Sequence, residues 1–100
     1  MEKRIAHYPL SEIKALVEKG LLRVTKSALR GAATIGFGPQ DIRDVIMNLE
    51  TSNLHKSMTS HQDHRIWQDV YYVPIDDIDL YVKLQIVDKV VVVSFKELWQ

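Results

Sequence analysis

Apolar positions recur at helical spacing through the first half of the chain, and from about residue 53 the period changes to two. Leu10, Ile13, Leu16 and Val17 predict a short helix with Ser11 as its N-cap, Glu12 against its dipole and Gly20 as its stop. Leu21 to Val24 reads as a brief extended segment. Thr25 then caps a second helix whose Ala28, Leu29 and Ala32 face inward and which Gly31 weakens and Gly36 ends. Gly38-Pro39 places proline at the first helical position, and Ile42, Val45, Ile46 and Leu49 follow at i, i+3, i+4 and i+7, the strongest helical pattern in the chain.

Strands are expected near residues 53–60, 66–73, 79–87 and 89–97. Helices first and strands after predict an α+β fold, with N-terminal helices packed on a mainly antiparallel sheet formed by the C-terminal half. Only Asp88-Lys89 separates the last two strands, so a tight hairpin is expected, with Val87 facing Val90, Gln85 facing Val92, Lys83 facing Ser94 and Tyr81 facing Lys96. Leu80, Val82, Leu84, Ile86, Val91, Val93 and Phe95 then form an apolar face for the helices. The opposite face carries Tyr81, Lys83, Gln85, Ser94 and Lys96. For the earlier strand pair, a turn near His61 to His64 sets Lys56 opposite Gln68, and periodicity does not say which side faces the core.

At 100 residues and 46% hydrophobic content, one domain spanning residues 1–100 is expected. The chain has no cysteine, which removes disulfides, thiolate metal sites and a cysteine nucleophile. No stretch resembles a signal peptide or approaches the roughly 20 apolar residues of a membrane span, so a cytoplasmic protein without membrane association is expected. Thirteen basic and thirteen acidic residues cancel, so any attraction for RNA must come from local clusters. Lys3, Arg4 and His7 form one cluster, and His55, Lys56, His61, His64 and Arg65 another. Asp76, Asp77 and Asp79 concentrate negative charge elsewhere.

Cleaving RNA without a metal requires a base for the 2′-hydroxyl, cations for the phosphorane and an acid for the leaving 5′-oxygen. Lys56, Gln68, Tyr81 and Lys96 suit such a division of labour, although lysines on an open sheet face are more often simply solvated. Histidine has the intrinsic pKa for the base, which makes His55, His61 and His64 rival catalysts. His61, Asp63, His64 and Asp69 also permit a metal-dependent reading, yet a turn rich in His and Asp is more often solvated or in contact with phosphate. Trp67, Tyr71, Tyr72 and Tyr81 offer rings for unpaired bases, with Trp67 and one tyrosine expected in the core instead. No phosphate-binding glycine loop, nucleophile elbow or dinucleotide fingerprint is present.

Met1-Glu2-Lys3-Arg4, His55-Lys56-Ser57-Met58-Thr59, Asp63-His64 with Ile66-Trp67-Gln68-Asp69-Val70-Tyr71, and Val93-Ser94-Phe95-Lys96-Glu97 together closely resemble the MqsR toxins, named as motility quorum-sensing regulators. The resemblance runs nearly end to end and is weakest at residues 31–41 and 73–79. It implies a RelE-like fold and the toxin of a type II toxin-antitoxin system. Such a toxin is an endoribonuclease that cuts mRNA, with a family preference for GCU, and so halts translation and growth. The family's functional residues carry over to Lys56, Gln68, Tyr81 and Lys96. His55, Met58, His61, His64, Arg65 and Lys83 are then RNA contacts, and neither a metal nor another cofactor is expected in the toxin. An antitoxin of the MqsA type is the implied partner, with a zinc-binding domain that holds the toxin and a helix-turn-helix domain through which alone operator DNA is reached. Two departures stand out: the neutral net charge where the resemblance implies a basic toxin, and His55 where it implies tyrosine. A noncatalytic RNA-binding or regulatory module is the competing reading.

Overall fold

The computed structural model describes residues 1–99. Strand β1 (Glu2–Lys3) leads into helix α1 (Leu10–Glu18), strand β2 (Leu22–Val24), helices α2 (Lys26–Thr34) and α3 (Pro39–Met47), and strands β3 (Leu54–Thr59), β4 (Trp67–Ile75), β5 (Ile78–Val87) and β6 (Lys89–Glu97). The strands form one sheet in the order β1-β3-β4-β5-β6-β2, antiparallel except where β2 runs parallel to β6. This is the expected α+β arrangement, with two short edge strands added from the N-terminal half. Among the described residues no helix is long and apolar enough to cross a membrane.

Local chemistry sets the helix ends. Thr25 Oγ1 accepts from Ala28 N at 3.1 Å, a side-chain cap of the kind whose loss typically costs about 1 kcal/mol. Asp41 Oδ2 accepts from Gly38 N at 2.8 Å, closing the start of α3 ahead of Pro39. Ser11 is not the cap of α1: the helix begins two residues earlier, at Leu10 behind Pro9, whose carbonyl accepts from Glu12 N and Ile13 N. Leu29 does not face inward and is 38% exposed, because Ala28 and Ala32 one turn apart make the contact and Leu29 lies about 100° round the helix from Ala28. Gly31 lies on the contacting side. A Cβ there would overlap the backbone carbonyl oxygen of Phe95 and reach Lys96 Cβ at 3.3 Å, so its lack of a side chain is what lets α2 lie against β6.

The core joins Ile13, Val17, Ala28, Ala32, Ile42, Val45, Ile46 and Leu49 to Tyr71, Leu80, Val82, Leu84, Val90, Val92 and Phe95. Alternate residues of β5 and β6 supply the sheet side, so the helices cover one face and the other is left open. Burying this apolar surface, at roughly 25 cal/mol per Å², is the main force holding helices to sheet.

Register differs from expectation at both hairpins. Lys83 faces Ser94 and Tyr81 faces Lys96 as expected, but nearer the turn Val87 faces Lys89, Gln85 faces Val91 and Leu84 faces Val92. Asp88 alone forms the tip, in the left-handed region at φ 67°, and an irregularity after Lys83 takes up the difference of one residue. Val90 and Val92 consequently join the core, while Val91 and Val93 pass to the side of Gln85, where both line a depression with it. In the first hairpin Lys56 faces Val70 and Met58 faces Gln68, two residues from the expected pairing, because the turn is longer than expected and Ser60 N bonds Ile66 O. Beyond Tyr71, β4 no longer has β3 beside it, so Pro74 is accommodated at an edge and the strand runs on to Ile75.

Candidate active site

Directly opposed residues share a face, so Tyr72–Tyr81–Lys96 and Val70–Lys83–Ser94 form two rows across the open side of the sheet. Lys56 opposes Val70 and thereby joins them. An irregularity of β3 between Leu54 and Lys56 brings His55 to the same side, where its ring stacks on Tyr72 with centroids 4.1 Å apart and planes 13° apart. Tyr72 and Tyr81 follow at 6.2 Å. Around Tyr81 stand two ammonium groups, Lys96 Nζ at 5.3 Å and Lys83 Nζ at 5.9 Å from the ring centroid. The fold thus gathers His55, Lys56, Tyr81, Lys83 and Lys96, with Tyr72 at their centre.

The electrostatics separate these groups. Lys56 Nζ donates to Glu2 Oε1 at 2.7 Å, and this hydrogen bond, then the Glu2 charge, holds the ammonium above its usual pKa. The same contact holds Glu2 below the usual carboxylate range. Burial pushes the Tyr81 hydroxyl up, with Tyr72 adding to it and Lys56 opposing. Burial pulls Lys83 down, as do the charges of Lys96 and Lys56. At neutral pH Lys56 therefore serves as a cation, and Tyr81 retains its proton.

Gln68 lies farther along the face. It is buried and donates through Nε2 to Gln85 Oε1 at 2.8 Å, which fixes its amide beside Met58. A depression of about 200 Å³ lined by Ser60, His61, Gln62, Gln68, Lys83 and Val93 extends the site toward the β3–β4 turn. His61 is thus at the rim. His64 and Arg65 are exposed in that turn, and Arg65 forks onto Asp63, which lowers the Asp63 carboxyl to about 2.

The metal-ligand reading of His61, Asp63, His64 and Asp69 does not assemble. Asp69 is fully buried on the helix-facing side, accepting from His7 N and Tyr8 N at 3.0 and 2.9 Å, and Asp63 is taken by Arg65. Trp67 does not enter the core either. It lies half-buried near the end of the sheet, stacked against His7 at 5.4 Å with Lys3 Nζ 4.2 Å above its ring, because the N-terminal segment crosses there. Tyr71 is the tyrosine that fills the core.

Residues 5–97 match the family described as motility quorum-sensing regulator, toxin of MqsA. The chain belongs to the MqsR toxin family. A relative from Escherichia coli (strain K12), named mRNA interferase toxin MqsR, is 43% identical over 97 residues, covering 97% of this chain and 99% of that protein. Of the residues singled out from the sequence, the open sheet face brings together His55, Lys56, Tyr81, Lys83 and Lys96, while Gln68 lies farther along it and His64 and Arg65 lie in the turn. Glu2 and Gln85 were not among the candidates, and Tyr72 was read only as one of four rings for unpaired bases. Glu2 was hidden because the two-residue strand β1 carries too little periodicity to be read, and its partner lies 54 positions away. Gln85 was legible only as a member of a face.

Proposed function

We propose that this protein is the toxin of a toxin-antitoxin pair and acts as an endoribonuclease on messenger RNA, using the open face of the sheet. The observation that carries the reading is the convergence of Lys56, Lys83 and Lys96 around the Tyr81–Tyr72–His55 aromatic row. Three cations on a face lacking helices suit a phosphodiester, and the rings beside them suit unpaired bases. The family description and the relative's name support the same direction. With no net charge on the chain, this cluster supplies the electrostatic attraction that the molecule as a whole lacks.

In this reading Lys56 and Lys96 hold the phosphorane charge, Lys83 contacts a neighbouring phosphate, and Tyr81 gives its proton to the leaving 5′-oxygen. Gln68, held by Gln85, orients the phosphate or a base, with Met58 packed beside it as a noncatalytic contact. His61, His64 and Arg65 extend the path of the strand along the turn, Arg65 exchanging Asp63 for phosphate. Lysine ammonium groups supply the charge that a divalent ion supplies in other nucleases, so cleavage proceeds without metal. GCU is the preferred sequence. Lys56 keeps Glu2 on one of its three N–H donors and offers another to the phosphate. The partner is an antitoxin of the MqsA type, which carries the zinc-binding and helix-turn-helix domains.

End-group analysis of the products tests this. Attack by the 2′-oxygen leaves fragments with 2′,3′-cyclic phosphate and 5′-hydroxyl ends. A module that only binds retards RNA in a gel and leaves every strand whole, and that result would replace the enzyme reading with the binding one.

A further inference from the structure

The groups described so far leave one role unfilled. In-line attack by the 2′-hydroxyl needs an acceptor for its proton, and most of the polar groups on the open face are unable to accept one at neutral pH. Lys56 and Tyr81, both held above their ordinary values, keep their protons, the other two lysines are assigned to phosphate, and Gln68, Gln85 and Ser94 are far too weakly basic. Three acceptors remain, Glu2, His55 and His61, and His61 stands exposed at the rim of a depression whose lining includes none of Lys56, Tyr81 and Lys96. Glu2 is bound to Lys56 at 2.7 Å, and the same lysine stabilises the carboxylate and so weakens it as a base.

We propose that His55 is the general base of RNA cleavage, an inference that rests on the ribonuclease reading. Its ring lies parallel to Tyr72 at 4.1 Å, so stacking fixes the plane of the imidazole and leaves both nitrogens at the ring edge. Among the described residues neither ring nitrogen is hydrogen-bonded, the contact at this residue being Arg4 Nη1 donating to its backbone carbonyl, so the nitrogens are available to substrate. It adjoins Lys56 in sequence, which brings base and phosphate-binding cation to one side of the same strand end. In the reaction an imidazole nitrogen takes the 2′-hydroxyl proton as the 2′-oxygen bonds to phosphorus. The bond from phosphorus to the 5′-oxygen breaks, and that oxygen takes the Tyr81 proton. The imidazolium and the phenolate, which Lys56 and Lys83 stabilise, then return to their starting states by exchange with water.

The surroundings favour the neutral base. Partial burial lowers the His55 pKa below its usual value, and the charges of Lys56 and Arg4 lower it further, against Glu2. Lys56 lies on its own strand, Glu2 and Arg4 on or just after β1, and Tyr72 stacks on it from β4 with Tyr81 of β5 beside Tyr72. A lowered value means that imidazole stays deprotonated down to below pH 6.5 and is lost as a base only under more acidic conditions. The pH profile of kcat/KM, which reports the free enzyme, therefore has its acid limb below pH 6.5.

The test measures cleavage of a defined RNA by the parent, His55→Ala and His55→Gln across the acid range, with and without added imidazole, after thermal unfolding has shown both variants folded. We expect kcat to fall about 10²- to 10⁴-fold in both variants with a much smaller change in KM, the acid limb to disappear, and imidazole to restore part of the rate to His55→Ala. Unchanged kcat, a loss confined to KM, or an acid limb that survives in the variants would overturn the assignment while leaving the ribonuclease reading standing. Intact RNA with the parent protein would instead overturn both.

Discussion

Replacing Lys56 with alanine or Tyr81 with phenylalanine reduces RNA cleavage by about 10²- to 10⁴-fold in each case, with the thermal unfolding midpoint little changed. Both parts of that expectation follow from position. Lys56 is held over the open face by Glu2, outside the core, so truncating it removes a cation and leaves no cavity. The phenylalanine variant keeps the ring that packs between Tyr72 and the two lysines and removes only the hydroxyl. Rate constants at saturating RNA, set beside circular-dichroism melting curves, check the pair of statements together. Loss of folding in Lys56→Ala would remove the support for its role in the site, because the structure gives that side chain no part in the core.

A second large effect is expected far from the chemistry. Alanine in place of a helical glycine ordinarily stabilises a protein, by about 0.5 to 1 kcal/mol. At Gly31 the sign reverses. The added Cβ would overlap the Phe95 carbonyl oxygen, a backbone atom held in the β5–β6 ladder that has no rotamer to change. Relief requires α2 to move off β6 and with it Ala28 and Ala32, two fully buried contacts of the core. Overpacking of this kind costs roughly 1 to 3 kcal/mol, which in a domain of this length lowers the unfolding midpoint by about 4 to 8 °C per kcal/mol. Differential scanning of Gly31→Ala checks the sign, and a raised midpoint would show that α2 is free to shift. Because Phe95 and Lys96 are adjacent, the variant also displaces a cation of the open face, so cleavage falls with stability.

Much of the architecture was legible in the sequence. The runs at Ile42–Leu49 and Leu80–Phe95 are long and regular enough to fix element type, and the change of period near residue 53 carries the α+β division. Local capping chemistry was readable at Thr25 and Gly38, where the side chain or the following proline acts within three residues. The main failures have two physical causes, a partner distant in sequence or a turn whose length the sequence does not announce. Gly31 reads as a weak point of a helix until Phe95 is placed against it. Asp88 gives no sign in the sequence that it alone will form the hairpin tip, so the pairing near the turn was displaced by one residue and Val91 and Val93 were assigned to the wrong face. Trp67 reads as core until the N-terminal segment is seen to cross it.

The candidate site followed the same rule. Tyr81 and Lys96 were placed together from the hairpin alone, since the irregularity after Lys83 restores the expected pairing just where it matters. Lys56 and Gln68 were placed on one face but in the wrong register, and their separation along the strands gives them different neighbours, Glu2 for one and Gln85 for the other. That division suits different tasks, charge at one end of the face and orientation at the other. Nothing in the sequence pattern marked His55 as belonging to the open face, because alternation along β3 sets it opposite to Lys56. The irregularity after Leu54 is what brings them together.

Cleavage of a defined RNA containing several GCU sites by the purified protein in excess EDTA, with Lys56→Ala alongside, tests the central claim most directly. The account predicts fragments from the parent at an undiminished rate and almost none from the variant. Intact RNA in both, or parent activity abolished by the chelator and restored by a divalent metal, would contradict a metal-free site built on the open face of the sheet.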